Sequence, residues 1–427
     1  MTKKKINLFF NKVPSYILIL IPPALISGPF LSDLGISLIS IIFLVNTFLN
    51  KKLIKYYKNY FFYFFFTFWI YLLLNSILNN FNEDSFRIAL TYFRFFIFAI
   101  ATWYILDKDK KILIYLFYSF LVCFCALIID GYYQFIFNEN LIGYKIQFNR
   151  VSSFFGDELI LGSYLSRLFP IFFGIYVLFY NKMNKKYSYL LILIFALIEA
   201  LIFLSGERSA LFYLNLSTIF IIIMIKNFKK IRIFTLILGL ILISFITLID
   251  NSYKIRVIDH TINQMSFNGS QFKLNIFSEQ HSAHYNSSLK IFSDNKYFGV
   301  GIKNFRNFCG KEKYNGPWAC SSHPHNTYIQ LLAETGVIGF LFVFFLFILF
   351  VYYSLAHIKG FFKNKQIFND FEICLLSSIL ISLWPVIPTG NFFNNWLSII
   401  YLFPSGMLLW SLNNRKKLSV NSFFDEN

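Results

Sequence analysis

Residues 327–356 read TYIQLLAETGVIGFLFVFFLFILFVYYSLA, with Glu334 as the sole charged side chain. A helix needs about 20 mostly apolar residues to cross the hydrocarbon core of a bilayer, so this stretch reads as a membrane-spanning helix and decides the fold class. Eleven more such stretches, separated by short polar breaks, complete the pattern: 14–30, 32–49, 59–78, 86–106, 112–136, 158–180, 188–205, 209–225, 233–249, 370–388 and 393–412. The expected fold is an all-α polytopic membrane protein with about 12 transmembrane helices. Another apolar stretch follows 14–30 almost at once, without a small-residue cleavage site between them. The first is therefore expected to be an anchor and not a signal peptide.

Composition agrees. Of the 427 residues, 57% are hydrophobic and 14% charged, whereas a soluble domain is roughly 45–50% apolar and about 25% charged. An ordinary cytosolic enzyme is excluded, and so is a disordered or fibrous chain. The formal net charge of +18 would suggest nucleic acid on a soluble protein. Position gives it another meaning. The basic clusters are Lys3–Lys5 with Lys12; Lys51, Lys52, Lys55 and Lys58; Lys108, Lys110 and Lys111; Lys182, Lys185 and Lys186; Lys226, Lys229, Lys230 and Arg232; Lys359, Lys363 and Lys365; and Arg415–Lys417. With twelve helices they all fall on one side, the cytoplasmic one by the positive-inside rule, with both termini inside. Nucleic acid is not an expected partner; membrane lipids are.

The other side carries two loops of any size, 137–157 and 250–326. The second, roughly 75 residues long, far exceeds ordinary connections, and loops of that size usually serve function. The chain is thus expected to divide into helices one to nine (1–249), a large external loop domain of short surface helices (250–326), and helices ten to twelve with a cytoplasmic tail (327–427). Cys123, Cys125 and Cys374 lie in apolar spans and read as small core residues. Cys309 and Cys320 bound the loop stretch CGKEKYNGPWAC, where an oxidising compartment permits a disulfide. A bridge is favoured over two unpaired thiols.

The stretch CSSHPHNTYIQLLAETGVIGF, 320–340, leads from that loop into the membrane. Structurally, Pro324 begins a helix, Asn326 or Thr327 caps it, and Gly336 and Gly339 allow close helix packing. Chemically, His323 and His325 form an acid–base station, because a histidine titrates near pH 6.5 and its neutral form is available as a base. A second station is SGERSALF, 205–212. Charges at membrane depth are costly and line a cavity or pair with one another. Glu207 and Arg208 therefore read either as a neighbour ion pair or as an anion site, in which the forked donors of Arg208 match the oxygens of a lipid-linked phosphate.

Other charges need explanation. Arg87 and Arg94 are seven apart and share a helix face; Arg94 lies deeper and needs a partner. Arg150, Asp157 and Glu158 surround the start of span 158–180, which contains Arg167. Asp157 is placed to complement the helix dipole, and Arg150 is a second candidate anion contact. Glu279, His281 and His284 suggest a metal cluster at first sight, but a zinc protease motif needs two His at i and i+4 with Glu between them. No metal is expected there. Gly299 and Gly301 form a Gly-x-Gly outside any strand–helix unit, which favours a tight turn over a dinucleotide site.

These motifs form a recognisable set. His325-Asn326, nine intervening residues and Gly336-x-x-Gly339 resemble the His-Asn-x9-Gly-x-x-Gly signature of the O-antigen ligase and O-antigen polymerase superfamily. The Ser-Gly-x-Arg-Ser-Ala turn at 205–210, the Asp-x-x-x-Phe-Gly-Val-Gly stretch at 294–301 and a single large loop late in the chain agree with it. The resemblance covers roughly residues 150–350 in motif and the whole chain in topology. It implies a metal-independent glycosyltransferase of the bacterial inner membrane, needing no cofactor, with its active site facing the periplasm. The implied donor is a glycan on undecaprenyl diphosphate. The acceptor is lipid A–core for a ligase and another lipid-linked glycan for a polymerase; a protein O-oligosaccharyltransferase uses the same machinery on protein hydroxyls.

By the resemblance, His325 deprotonates or orients the acceptor hydroxyl, and Arg208 holds the diphosphate and stabilises the charge on the leaving group. Arg150, Glu279, His281, His284, His323 and Asn326 are the associated candidate substrate contacts. A second arginine of the family falls at His281, with Tyr285 as the aromatic that follows it; Arg150, Arg256 and Arg306 are the other cations available for its role. The rival from another class is a polysaccharide flippase or transporter. Such proteins commonly show repeated halves, and no repeat is visible here.

Overall fold

The computed structural model describes residues 3–79, 82–265, 277–363 and 365–415. Among these the chain is helical, with isolated bridges (Glu139 with Lys145, Gln147 with Arg150) and no strand. In order the helices are α1 (Lys3–Ile19), α2 (Ile21–Ile26), α3 (Pro29–Leu49), α4 (Tyr60–Leu78), α5 (Glu83–Thr91), α6 (Phe93–Lys108), α7 (Ile112–Phe137), α8 (Leu161–Phe179), α9 (Lys185–Leu204), α10 (Arg208–Met224) and α11 (Lys229–Ile249). The segment that follows holds α12 (Ser252–Lys254), α13 (His260–Met265), α14 (Glu279–Asp294) and α15 (Phe305–Phe308). The chain closes with α16 (Thr327–Phe362), α17 (Asp370–Leu383) and α18 (Asn395–Asn413).

Nine helices among the described residues are long and apolar enough to cross a membrane: α3, α4, α5 with α6, α7, α8, α9, α11, α16 and α18. The chain is an all-α polytopic membrane protein. The other three expected stretches are helical but shorter. One is α10, with 17 residues, about 26 Å at the α-helical rise. Another is α17, with 14 residues. The third, 14–30, starts earlier, at Lys3, and breaks at Leu20, where Pro22 and Pro23 open a new helix. Span 86–106 is divided at Tyr92 into α5 and α6. Span 370–388 stops at Leu383, because Trp384 precedes Pro385 and takes extended backbone (φ −67°, ψ 125°). Residues 384–394 are a loop.

The bundle centres on α8, nearly all of whose residues are buried, as expected of a helix that is apolar all round. Phe169, Phe172 and Phe173 of α8 pack edge to face on Phe195 of α9. Inside the bundle Arg232 of α11 is fully buried and pairs with Glu199 of α9, and its guanidinium also donates to the hydroxyls of Thr218 of α10 and Thr235. Asparagine caps the first turn of six helices, α4, α5, α9, α16, α17 and α18. Its short side-chain oxygen satisfies an amide that has no partner within the helix.

The segment between α11 and α16 rests on α16. Ile291, Val300, Phe305, Cys309 and Tyr314 form a small apolar core with Ala333 of α16, and Cys309 and Cys320 are joined by a disulfide, Cα atoms 5.0 Å apart. The thirty-residue stretch at 327–356 is helical but broken at Gly336, where φ is +64°. A side chain there would strike the carbonyl of Tyr297. The break frees backbone groups of α16, and the Gly-Val-Gly turn takes them: Val300 N–H donates to Ala333 O (3.0 Å), Gly301 N–H to Glu334 O (2.9 Å), and Val337 N–H to Lys296 O (2.8 Å). Two motifs distant in sequence thus hold each other.

Candidate active site

His325 sits directly before the cap of α16, in left-handed backbone (φ +59°). Such a conformation is uncommon for a non-glycine residue and clusters at functional sites. Its neighbours hold it there. The Asn326 side-chain oxygen accepts from Tyr328 N–H (3.0 Å) and Ile329 N–H (3.1 Å), while its amide donates to Pro385 O (2.7 Å). Thr389 N–H donates to His325 O (2.8 Å), and the Tyr285 hydroxyl approaches the same carbonyl at 3.5 Å. The loop 384–394 that ends α17 early is therefore the floor beneath His325.

Four imidazoles gather here. The ring centre of His325 lies 4.0 Å from that of His323 and 5.5 Å from those of His281 and His284 on α14. Burial pushes His325 down to about 3, with the charges of His323, His281 and His284 lowering it further. Burial also brings His323 down to about 4. His281 falls below its ordinary value through burial, then through His284 and Arg208. His281, His323 and His325 are therefore neutral at pH 7. His284 Nδ1 and His323 Nε2 are buried without a hydrogen-bond partner among the described residues, so the cluster offers ring nitrogens to a ligand. No group of three or more His, Cys, Asp or Glu among the described residues has the geometry to hold a metal ion.

The 205–210 turn brings cations to the same place. Gly206 adopts φ +64°, and the arginine side chains close around it: an added Cβ would lie 2.7 Å from Arg256 Nε and 2.8 Å from Arg150 Cγ. Arg150 Nε donates to Ser205 O (3.1 Å), and Arg256 Nε donates to Gly206 O (3.3 Å). The charge of Arg208, exposed at the first position of α10, acts on both Arg256 and His281. Three guanidiniums thus gather at this turn, and the charge of Arg208 reaches the histidine cluster.

Glu207 does a different job from the one its sequence position suggests. Its carboxylate accepts from the amides of Gly162 (2.8 Å) and Ser163 (3.3 Å) and from the Ser163 hydroxyl (2.7 Å), and it pairs with Arg150 at 3.7 Å. It therefore neutralises the positive end of α8. Asp157, placed there by sequence reasoning, is exposed and accepts from Gln147 (2.6 Å), because α8 begins later, at Leu161.

The other expected residues divide. His281, His284, His323 and Asn326 come together around His325, Arg208 acts on His281 and Arg150 stands at the Gly206 turn, whereas Glu279 remains exposed on the first turn of α14. Arg94 finds its partner in Asp33, Nη2 to Oδ1 at 2.8 Å. Arg167 is buried over the Tyr213 ring, 4.5 Å from its centre. Sequence reasoning undervalued Arg256 and missed the 384–394 floor. Arg256 lies in a π-helical turn, Ile255–Asp259, which leaves no sequence trace. The floor did leave one in Pro385, Pro388 and Gly390.

Residues 189–344 match the O-antigen ligase family, whose members are glycosyltransferase-like enzymes. The matched interval runs from α9 into α16 and includes Arg208, Arg256 and the four clustered histidines, but not Arg150 or the 384–394 loop. No curated protein matches the chain. The likeness of residues 189–344 to the O-antigen ligase family supports a role in surface-polysaccharide assembly, and together with the apolar helices it points to a multi-pass bacterial membrane protein.

Proposed function

We propose that the protein is an inner-membrane glycosyltransferase that moves a glycan from undecaprenyl diphosphate to an acceptor sugar hydroxyl at the periplasmic face, as a ligase does. Under the topology expected from the basic clusters, twelve crossings with both termini in the cytoplasm, the histidine cluster faces the periplasm. The observation that carries this reading is that His281, its ring centre 5.5 Å from that of neutral His325, feels the charge of Arg208, which with Arg256 and Arg150 surrounds the Gly206 turn.

The chemistry follows from charge. The guanidiniums bind the diphosphate and stabilise the negative charge that grows on it as the sugar leaves. Arg256, held against the Gly206 turn beside Arg150, takes the place of the family's second arginine. The acceptor hydroxyl hydrogen-bonds to the neutral His325 ring. Its oxygen bonds to the anomeric carbon as the carbon–oxygen bond to the diphosphate breaks, the electron pair leaves on the diphosphate, and the hydroxyl proton passes to His325. A low imidazole pKa is a poor match for a base near neutral pH. The arriving diphosphate corrects this, because a nearby negative charge favours the protonated ring. Proton acceptance is thereby coupled to donor binding, and the diphosphate ester itself supplies the driving force.

The test is the surface glycolipid of a deletion strain. Bare core lipid with polymer still on its carrier is the result expected of a ligase. Core bearing a single repeat unit would identify a polymerase instead. Units trapped in the cytoplasmic leaflet would replace the whole reading with a flippase.

A further inference from the structure

An open cleft of about 590 Å³ lies between α3, α5, α6 and the turn that follows Gly301. Arg87, Arg94 and Lys303 line it, against the single carboxylate of Asp33, with Ile41 and Phe93 among its apolar walls. Arg94 is spoken for: its Nε and Nη2 bond Asp33 and its Nη1 donates to Thr91 O (2.9 Å). Lys303 is different. Half-buried, it belongs to none of the six ion pairs among the described residues.

The fold goes to some length to put Lys303 there. It stands in left-handed backbone (φ +55°), a conformation that persists in a non-glycine residue only where the surroundings impose it. Its N–H donates to Glu334 Oε2 (3.0 Å), while Phe305 N–H donates to Oε1 (3.3 Å) and Gln330 fixes the carboxylate from one turn back on α16 (2.8 Å). The Ser85 hydroxyl donates to Ile302 O (2.6 Å) and ties the turn to α5. Glu334 is therefore a positioning residue, held on the helix that His325 begins. Burial lowers the Lys303 ammonium, and Arg306 adds to the fall. The same Arg306 charge acts on His323, so this cationic ground reaches His325 from the His323 side, whereas Arg208 reaches it from the His281 side.

We propose that the cleft is a second lipid-phosphate site, seating the phosphate or diphosphate headgroup of the acceptor lipid on Lys303, with Arg87 turning to it from its exposed pair with Asp84 (3.1 Å) and the lipid tail along the exposed apolar face at Ile41. The proposal rests on the glycosyl-transfer reading above and deepens it: the acceptor is an anionic lipid, held apart from the donor by its own cations. A polar headgroup above an apolar wall is the chemistry that Lys303 and Arg87 beside the exposed Ile41 and half-buried Phe93 select.

The test uses the full chain in lipid nanodiscs, with an undecaprenyl-diphosphate glycan as donor and two acceptor probes: lipid A–core lipopolysaccharide, native or dephosphorylated, and an undecaprenyl-diphosphate-linked repeat unit. Lys303→Gln is expected to raise the acceptor KM about tenfold, the scale of one lost charge-assisted contact, with kcat and the donor KM unchanged. Lys303→Arg restores it. An effect on native but not dephosphorylated lipopolysaccharide assigns the headgroup to lipid A phosphate; an effect on the repeat unit assigns it to the isoprenyl diphosphate. An unchanged acceptor KM, or a loss confined to the donor KM, overturns the proposal. If the wild type transfers to neither probe, the glycosyl-transfer reading fails. Native mass spectrometry then decides the cleft separately: weaker retention of both probes by Lys303→Gln than by wild type upholds it, and equal retention of both rejects it.

Discussion

Two groups of arginine in this molecule make opposite use of the same side chain. Arg232 lies within the bundle, fully buried, and Glu199 meets it from the facing helix. Arg150, Arg208 and Arg256 gather where α8 and α10 begin, around a turn whose carboxylate, Glu207, already serves the first amides of α8. The first group is closed on itself and acts as scaffold. The second concentrates positive charge beside a cluster of ring nitrogens, and that is the electrostatic form of an anion site. The lesson is that an intramembrane arginine reveals its role through the carboxylate it is given.

The comparison can be broken by mutation. The largest effect is expected at the closed pair. Removing one partner of a buried ion pair costs about 3–5 kcal/mol, because the other charge is left uncompensated, so Glu199→Ala should lower the thermal midpoint of the purified protein sharply. Replacing both, Glu199→Leu with Arg232→Met, should recover most of the loss, while Arg208→Ala should leave the midpoint where it was. A sharp fall on Arg208→Ala alone would make the second group scaffold too.

A smaller effect is expected at Gly206. Alanine there meets Arg256 Nε and Arg150 Cγ and must hold φ +64°, a left-handed cost of roughly 1–2 kcal/mol. Gly206→Ala should therefore lower stability modestly and raise the donor KM by displacing two cations at once. Wild-type donor KM in this variant would detach those arginines from the donor.

A graded effect of pH follows from the histidines. His325 and His323 are held at about 3 and about 4, below the ordinary 6.5. As pH falls below 6.5 the unfolded chain takes up protons that the folded chain refuses, so their contribution is complete above that value and drains away toward the folded values. Thermal midpoints measured from neutral to acid pH should fall through this window, and His323→Gln should flatten the slope. The smallest effect belongs to Glu279→Gln, which should change stability by no more than about 0.5 kcal/mol and leave transfer intact, since Glu279 is exposed and outside the cluster. A marked loss of transfer would bring Glu279 into the site.

Much of this was legible in the chain, and the rest was hidden for physical reasons. Apolar length marks a membrane helix without reference to tertiary contacts, which is why nine of the expected stretches reappear, among the described residues, as helices long enough to cross a membrane and the other three as shorter or broken ones. His325, Asn326 and Arg208 stand out because charges and imidazoles are rare in such surroundings. The division of labour at Glu207 was invisible, because it depends on where α8 comes to rest, 45 residues away in sequence. The break at Gly336 was masked by its apolar flanks: local hydrophobicity says helix, and the override comes from the Tyr297 backbone. Nothing in the chain singles out Lys303, because its position depends on Glu334, 31 residues on, which accepts from its amide.

The central claim is that Arg150, Arg208, Arg256 and His325 act on one lipid-linked diphosphate glycan. The most direct measurement is glycan transfer by the purified protein reconstituted in vesicles with an undecaprenyl-diphosphate donor and a lipid A–core acceptor, comparing wild type with His325→Ala and Arg208→Ala at matched thermal stability. Loss of a positioned base or of an electrostatic stabiliser costs about a hundredfold or more, so both variants should fall at least that far. Transfer at near wild-type rate in either variant would contradict the account.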